Sequence, residues 1–216
     1  MVNENNVIKS KAPVISKATI AIFLDIDGVI FYNPMNGMVQ ERVRERFKGR
    51  EHELPIPYPN IECDKAAVDL FDQSALNYLK KLILNINKKY HKEVAIILSS
   101  AWRINRSVEF LKDLFKQHFF ANYIVDKTPE LSCQSRSKEI AQWLLENNKY
   151  YNLCGFVILD DYDDYLSVDF PKQFVECKHT TLFKQSEYKL ALSIIAKNCN
   201  HAPLFSNTNQ ILLAKD

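Results

Sequence analysis

The sequence predicts an α/β fold: a Rossmann-like three-layer sandwich with a mainly parallel sheet between helices and a small cap insert after the first strand. Two observations support this prediction. Short, continuously apolar runs occur at residues 19–24, 93–98 and 155–159, and longer segments with helical periodicity separate them. Strands that are apolar on both faces and alternate with helices are typical of a parallel sheet covered on both sides.

Length and composition indicate one main domain. The chain has 216 residues, of which 47% are hydrophobic, and this is enough for one sizeable core. Residues 1–17 are polar and predict a flexible N-terminal arm, residues 18–200 form the predicted domain, and residues 201–216 form a C-terminal tail. Residues 33–71 are the predicted cap insert, which is too short for a large lid.

The apolar runs predict buried strands that end in polar residues. The first run leads into Asp25, the second into Ser99 and the third into Asp160. Two weaker strand candidates lie at residues 123–125 and 174–177.

The segments between the strands predict helices. Asp72 can cap one helix, Ser107 stands before a second, and residues 185–197 predict a closing helix. The apolar residues that recur at helical spacing are Leu76, Leu79, Leu82, Ile83 and Ile86 in the first helix, Val108, Leu111, Leu114 and Phe115 in the second, and Ile140, Trp143 and Leu144 in a third.

The predicted topology brings the polar residues together. Right-handed crossovers place the carboxyl ends of parallel strands along one edge, where open α/β sheets bind their ligands. Asp25, Ser99 and Asp160 are therefore predicted to lie at the same edge, although long segments of chain separate them. A site assembled from three strand ends is a stronger indication than any single motif.

The motif Asp25-Ile26-Asp27-Gly28 has two interpretations. Two carboxylates beside a glycine are equally typical of an ordinary turn after a strand. A calcium loop of EF-hand type needs further oxygen ligands at fixed spacing, and residues 29–32 offer none of them.

The other two strand ends also carry groups suited to a phosphate and a cation. Ser99, Ser100 and Arg103 supply two hydroxyl groups and a guanidinium that can hold phosphate oxygens, with a serine-rich turn as the alternative. Residues 160–164 crowd four carboxylates into five positions, and such crowding favours a nearby cation because like charges repel each other. A solvated acidic loop is the alternative.

These motifs resemble those of the haloacid dehalogenase (HAD) superfamily. The superfamily has a DxDG after the first strand, a serine or threonine after the second, a basic residue before a later helix, and a paired acidic motif. More narrowly, residues 19 to about 197 are similar to the HAD domain of Swiss Army knife RNA repair proteins. The matching segments are 98–103, 136–144, 159–161 and 170–175.

The resemblance implies a Mg²⁺-dependent phosphatase. Asp25 would attack phosphorus and form an aspartyl-phosphate, while Asp27 would donate a proton to the leaving oxygen and later withdraw one from water. The predicted Mg²⁺ ligands are the carboxylate of Asp25, the backbone carbonyl of Asp27, and Asp160 or Asp161, with Asp164 in support. The predicted phosphate-binding residues are Gly28, Ser99, Ser100, Arg103 and either Arg136 or Lys138, of which Arg136 matches the family spacing better.

Composition argues against a dedicated nucleic-acid binder without excluding it, and it excludes several other classes of protein. The net charge of +2, from 28 basic and 26 acidic residues, lacks the basic excess of a dedicated nucleic-acid binder. None of the five cysteines forms a C-x-x-C pair or precedes an arginine at the spacing of thiol phosphatases, and four glycines build neither a Walker loop nor a dinucleotide loop. The polar start and the lack of a long apolar run predict a soluble, cytoplasmic protein without a transmembrane segment.

The substrate is predicted to be a macromolecule, because a small cap leaves the sheet edge open. Tyr32, Trp102, Tyr162 and Tyr165 can stack on a phenol ring or a base, or can simply pack at the edge. A phosphorylated protein is narrowly favoured, with phosphotyrosine as its phosphorylated group, because the near-neutral charge suits the HAD-type tyrosine phosphatases. Some of these are secreted bacterial effectors, so secretion into a host cell is an alternative location.

Three other functions stay open: a phosphatase acting on an RNA or DNA end, a phosphotransferase or mutase that passes the phosphate to an acceptor other than water, and a non-catalytic HAD binding module. The sequence makes no prediction about the oligomeric state.

Overall fold

The computed structural model describes residues 17–32, 48–49, 68–69 and 71–199. Almost all of the predicted arm, most of the 33–71 insert and the whole 201–216 tail lie outside these residues. The domain boundaries therefore stay predictions.

Five parallel strands form one sheet in the order β3-β2-β1-β4-β5. The strands are β1 (Thr19–Leu24), β2 (Glu93–Leu98), β3 (Ile124–Lys127), β4 (Leu153–Asp160) and β5 (Phe174–Glu176). The predicted α/β fold is confirmed, and both weaker strand candidates form strands.

Helices cover both faces of this sheet. They are α1 (Gln73–Lys89), α2 (Val108–Leu114), α3 (Arg136–Asn147), α4 (Leu166–Asp169) and α5 (Gln185–Cys199), together with 3-10 turns at Ala101–Arg103 and Phe119–Tyr123. Within the described ranges, none of these helices has the length and apolarity needed to span a bilayer.

The strands separate two hydrophobic cores because successive side chains of a strand point to opposite faces. In β1, Ile20 and Leu24 join the core that contains α1, α2 and α5, whereas Phe23 joins the core beneath α3. Phe23 packs edge-on against Trp143 of α3, with 5.4 Å between ring centroids. Complete burial of such a side chain contributes about 1.5–3 kcal/mol.

Polar caps fix where the helices begin. Asp72 Oδ1 accepts from the Ala75 amide at 2.8 Å at the start of α1, and Ser107 Oγ accepts a bond from the first turn of α2. Ser135 Oγ accepts a bond from the first turn of α3. Caps of this kind contribute about 1 kcal/mol each. The cap at Ser135 also matters for the site, because α3 begins at Arg136.

Candidate active site

Three strand ends bring Asp25, Ser99 and Asp160 side by side. Leu24 of β1 pairs with β2 on one side and with Leu159 of β4 on the other. The Asp25 amide donates to the Leu159 carbonyl at 2.9 Å, and the Ser99 amide donates to the Leu24 carbonyl at 2.9 Å. The three residues therefore share one edge of the sheet, as the strand pattern predicted.

A tight turn after β1 holds the two aspartates of the first motif. The Ile26 amide donates to Asp25 Oδ1 at 2.7 Å, so one carboxylate oxygen is fixed by the adjoining backbone. The Ile26 carbonyl then accepts from the amides of Ile30 and Phe31, both at 3.0 Å. In this turn Asp25 is only 6% exposed.

Gly28 leaves room for the Asp161 carboxylate because it has no side chain. Its φ is +70°, in the left-handed region that favours glycine. A Cβ at this position would lie 1.9 Å from Asp161 Oδ2 and 2.1 Å from Asp161 Cγ. The space at Gly28 therefore accommodates the Asp161 carboxylate, and the phosphate contact of Gly28 stays a prediction.

Asp25, Asp160 and Asp161 form an acidic cluster, in which one ligand oxygen from each lies within 4.8 Å of the others. Asp160 is 1% exposed, and its Oδ1 accepts from the Tyr162 amide at 3.0 Å. Its Oδ2 is buried with no hydrogen-bond partner among the described residues. Three carboxylate oxygens at this spacing, two of them from buried residues, fit a hard divalent cation such as Mg²⁺.

Burial and mutual repulsion perturb these carboxyl groups. Burial, and then the charge of Asp25, raises the pKa of Asp27 to about 7 and the pKa of Asp161 to about 6. The same two causes raise the pKa of Asp160, and the charge of Arg136 opposes that shift. Perturbed carboxyl groups that crowd together in this way are typical of cation sites and of proton-transfer sites.

Arg136 is the cation that faces this cluster. Its Nη1 lies 3.9 Å from Asp25 Oδ1 and 3.6 Å from Asp160 Oδ2, and it is buried with no hydrogen-bond partner in the described ranges. Burial alone would lower the pKa of Arg136. The carboxylates of Asp25, Asp160 and Glu139 outweigh burial and raise that pKa, so the guanidinium is a fixed positive charge.

A family model described as the HAD domain in Swiss Army Knife RNA repair proteins matches residues 21–187. The chain belongs to this family. The match runs from within β1 into α5 and contains the other four strands of the sheet and the whole acidic cluster. No curated protein and no solved structure matches the chain significantly. The HAD domain assigns the chain to the HAD-type phosphatases and makes the acidic cluster a candidate metal site.

The structure places Arg103, a predicted phosphate-binding residue, in contact with protein groups. This side chain is 3% exposed, and its Nε donates to the Thr128 carbonyl at 3.1 Å. Its Nη1 donates to the Ser100 carbonyl at 2.8 Å, and its Nη2 pairs with Glu139. Because all three guanidinium nitrogens are engaged, Arg103 holds the loop after β2 against α3, and these contacts do not support the predicted phosphate role.

Asp164 is also used differently from its predicted role as a supporting metal ligand. Its Oδ2 accepts from the Arg136 amide at 2.5 Å, and it is not among the three clustered carboxylates. A carboxylate at a helix N-terminus is favourable, so Asp164 fixes the start of α3. The Asp27 carboxylate also lies outside the cluster, and its backbone carbonyl stays the predicted ligand.

Arg136, rather than Lys138, meets the acidic cluster. No ion pair joins Lys138 to a carboxylate in the described ranges, whereas two of the three clustered carboxylates lie within 4.0 Å of Arg136. Ser99 Oγ is buried without a described partner, while Ser100 Oγ accepts from the Trp102 amide at 3.4 Å. The Ser99 hydroxyl group is therefore the one available to a ligand.

The contacts of two residues at the site were not predicted from the sequence. Trp102, predicted as a stacking aromatic, is 8% exposed, and its Nε1 donates to Asp27 Oδ2 at 3.1 Å. Glu139 is buried between Arg103 and Arg136. Its spacing of three residues from Arg136 on one helix face was a usable signal, whereas nothing in the sequence links Trp102 to Asp27.

The remaining predicted aromatic residues differ in exposure. Tyr162 and Tyr165, which follow the acidic pair, are 72% and 66% exposed. Tyr32 packs partly against the core of α1, α2 and α5. Only the first two present most of their surface to a binding partner.

Proposed function

We propose that this protein is a Mg²⁺-dependent phosphomonoester hydrolase that acts through an aspartyl-phosphate on Asp25. One observation carries the proposal: buried side-chain atoms that make no hydrogen bond within the described residues lie where the strands end. Arg136 Nη1 and Asp160 Oδ2, which are 3.6 Å apart, lie beside the nearly buried Asp25 carboxylate, and Ser99 Oγ and Thr128 Oγ1 directly follow β2 and β3. Buried polar groups are normally hydrogen-bonded, so a concentration of groups that lack hydrogen bonds supports a site for a charged ligand.

Asp25, Asp160 and Asp161 would hold the Mg²⁺ ion together with the backbone carbonyl of Asp27. When bound, the ion offsets the negative charge of these carboxylates and of the substrate, so that a carboxylate can approach a phosphate dianion. This neutralisation matters because uncatalysed phosphate-monoester hydrolysis is very slow. Enzymes must accelerate it by up to about 10²¹-fold.

The chain's own residues supply the nucleophile and the proton. The Asp25 carboxylate forms a bond to phosphorus as the bond to the leaving oxygen breaks. Burial raises the pKa of Asp27 to about 7, so this carboxyl group keeps a proton that it can donate to the leaving oxygen. Asp27 then takes a proton from the water that attacks phosphorus, and Asp25 is released with inorganic phosphate. Ser99 Oγ and Arg136 Nη1 would bind the other phosphate oxygens.

The proposal is tested by hydrolysis of p-nitrophenyl phosphate with Mg²⁺ and with a chelator. We expect turnover that requires Mg²⁺ and that Asp25→Asn abolishes, with an unfolding temperature close to that of the wild type. Asp113→Asn is the matched control, because its side chain is 72% exposed on α2 and pairs only with Lys116 among the described residues. Retained turnover in Asp25→Asn would remove the central claim.

For the substrate, we propose the phosphorylated end of a nucleic acid. The family description, which refers to RNA repair, supports this choice and reverses the narrow preference that charge alone gives to phosphotyrosine. The exposed rings of Tyr162 and Tyr165 directly follow the acidic pair and can stack on a base.

Phosphotyrosine in a protein is the second candidate, favoured by the net charge of only +2. The deciding comparison is kcat/KM for oligoribonucleotides phosphorylated at either end and for a phosphotyrosine peptide, each measured at increasing salt concentration. A nucleic-acid substrate predicts faster turnover of the oligonucleotide and a rate that falls with salt, because phosphate contacts are screened. A salt-independent preference for the peptide would assign the protein substrate instead.

A further inference from the structure

Trp102 makes a specific contact with the proposed acid and base of the reaction. Its indole Nε1 donates to Asp27 Oδ2 at 3.1 Å. Within the described part of the chain, no other side chain donates a hydrogen bond to Asp27. The contact joins the turn after β1 to the 3-10 turn after β2, two segments that are far apart in sequence.

An aromatic cluster fixes the Trp102 ring from behind. Phe31, Phe71 and Phe115 surround it, with ring centroids 6.0, 5.9 and 5.8 Å away. The backbone amide of Trp102 also donates to Ser100 Oγ at 3.4 Å. Because buried rings in such a cluster have little rotational freedom, the indole N–H points in one direction.

We propose that Trp102 is a positioning residue that orients the Asp27 carboxyl group. Its indole N–H engages Oδ2, so Oδ1 is the oxygen left to exchange a proton with the leaving group and with water. Trp102 therefore determines where Oδ1 lies relative to the substrate.

This inference rests on the proposed function. It specifies which atoms donate and accept the proton in each step. In the first step the Asp25 oxygen bonds to phosphorus, the bond from phosphorus to the leaving oxygen breaks, and the Oδ1 proton of Asp27 passes to that oxygen. In the second step a water oxygen bonds to phosphorus, the bond from phosphorus to Asp25 breaks, and one water proton returns to Asp27. Atoms and charge balance over the two steps.

Substrates with different leaving groups distinguish a positioning role of Trp102 from a purely structural role. Dinitrophenolate departs without a proton, whereas the alkoxide of benzyl phosphate must be protonated as it leaves. The measurement is kcat/KM of each substrate for the wild type and Trp102→Phe, because this constant reports the steps up to leaving-group departure. General acid catalysis supplies about 10²–10⁴-fold, so we expect Trp102→Phe to lose about 10-fold or more with benzyl phosphate and less than about threefold with dinitrophenyl phosphate.

Trp143→Phe is the matched control. The Trp143 indole makes the same type of bond, from Nε1 to Asp126 Oδ2 at 2.8 Å, in the core beneath α3. We expect this variant to lose stability without any dependence on the leaving group.

A second measurement does not depend on activity. The chain has two tryptophans and therefore two indole N–H signals in an amide correlation NMR spectrum. Asp27→Ala should shift only the Trp102 signal, and Asp126→Ala should shift only the Trp143 signal. An unmoved Trp102 signal in Asp27→Ala would overturn the inference, even if Trp102→Phe failed to fold.

The outcomes separate this inference from the proposed function. A loss in Trp102→Phe that is equal for both substrates, or no loss with benzyl phosphate, overturns the positioning role and leaves the phosphatase proposal intact. A wild-type protein that hydrolyses neither substrate refutes the phosphatase proposal itself. A selective loss with benzyl phosphate, joined to the NMR shift, establishes the positioning role.

Discussion

Substitution of Gly28 tests whether close packing at the first turn shapes the metal site. In Gly28→Ala the new Cβ would lie 1.9 Å from Asp161 Oδ2 and 2.5 Å from Asp161 Cβ, far inside van der Waals contact. Gly49 offers the matched control. Its φ of +82° resembles the +70° of Gly28, yet no described atom lies within 4 Å of a Cβ built there.

Both substitutions place alanine in the left-handed backbone region, but only Gly28→Ala adds a steric clash. Alanine in the left-handed region costs about 1–2 kcal/mol, and this loss of stability applies to both variants. At Gly28 the backbone cannot easily withdraw, because its amide donates to the Phe31 carbonyl at 2.7 Å. The Asp161 carboxylate must therefore move and leave the cluster. Disturbed support of a metal ligand typically costs about 10–100-fold in metal affinity, so we expect Mg²⁺ activation to weaken by that factor only in Gly28→Ala.

The assay combines urea unfolding in the presence of a chelator with Mg²⁺ titration of aryl phosphate hydrolysis. Similar unfolding midpoints for the two variants, together with a raised Mg²⁺ activation constant for Gly28→Ala alone, would support the reasoning. Equal Mg²⁺ activation constants for Gly28→Ala and Gly49→Ala would refute it, because Asp161 would then not be a ligand that depends on the space at Gly28.

Three further changes probe the surrounding charges. Arg136→Ala should lower kcat/KM about 10²–10³-fold, far more than Lys138→Ala, because only Arg136 faces the cluster. Arg103→Met should cost about 3–5 kcal/mol in urea unfolding, since it removes the close ion-pair partner of the buried Glu139 carboxylate and leaves it only the 4.0 Å contact with Arg136; a loss below 1 kcal/mol, the range of an exposed pair, would contradict the buried pairing. Asp160→Asn should raise the unfolding temperature in chelator by relieving repulsion, and should remove the stabilisation by Mg²⁺; unchanged stabilisation would exclude Asp160 as a ligand.

Local sequence patterns predicted the fold because local physics determines its elements. The run 19–24 has no charged residue, which is typical of a strand buried on both faces, and the structure has β1 there. Asp72 and Ser107 cap helices through bonds to amides three residues ahead, and such bonds can be inferred from spacing alone. The short helix α4 carries no such signal, and its first flanking residue, Tyr165, has a φ of +66° that no pattern indicated.

The site was only partly predictable, because its side chains meet across long sequence separations. Strand ends placed Asp25, Ser99 and Asp160 together, since sheet topology alone brings them to one edge. The engagement of Arg103 depends on carbonyl groups that follow β3 and on Glu139 of α3, none of which is near Arg103 in sequence. From the sequence alone, a guanidinium near a predicted phosphate site is equally suited to binding phosphate and to a structural ion pair. Only its hydrogen-bond partners in the folded chain distinguish the two roles.

Glu139 explains why arginine suits the start of α3. Its Oε2 pairs with Arg103 and lies 4.0 Å from Arg136 Nε, while its Oε1 accepts from the Leu131 amide at 3.2 Å. Arg136 thus meets negative charge on two sides, with Nε toward Glu139 and Nη1 toward Asp25. A lysine carries one compact ammonium group and cannot contact both sides at once. The branched guanidinium therefore ties the proposed phosphate contact to the buried ion pair that holds the loop after β2, so the same charges stabilise the fold and shape the site.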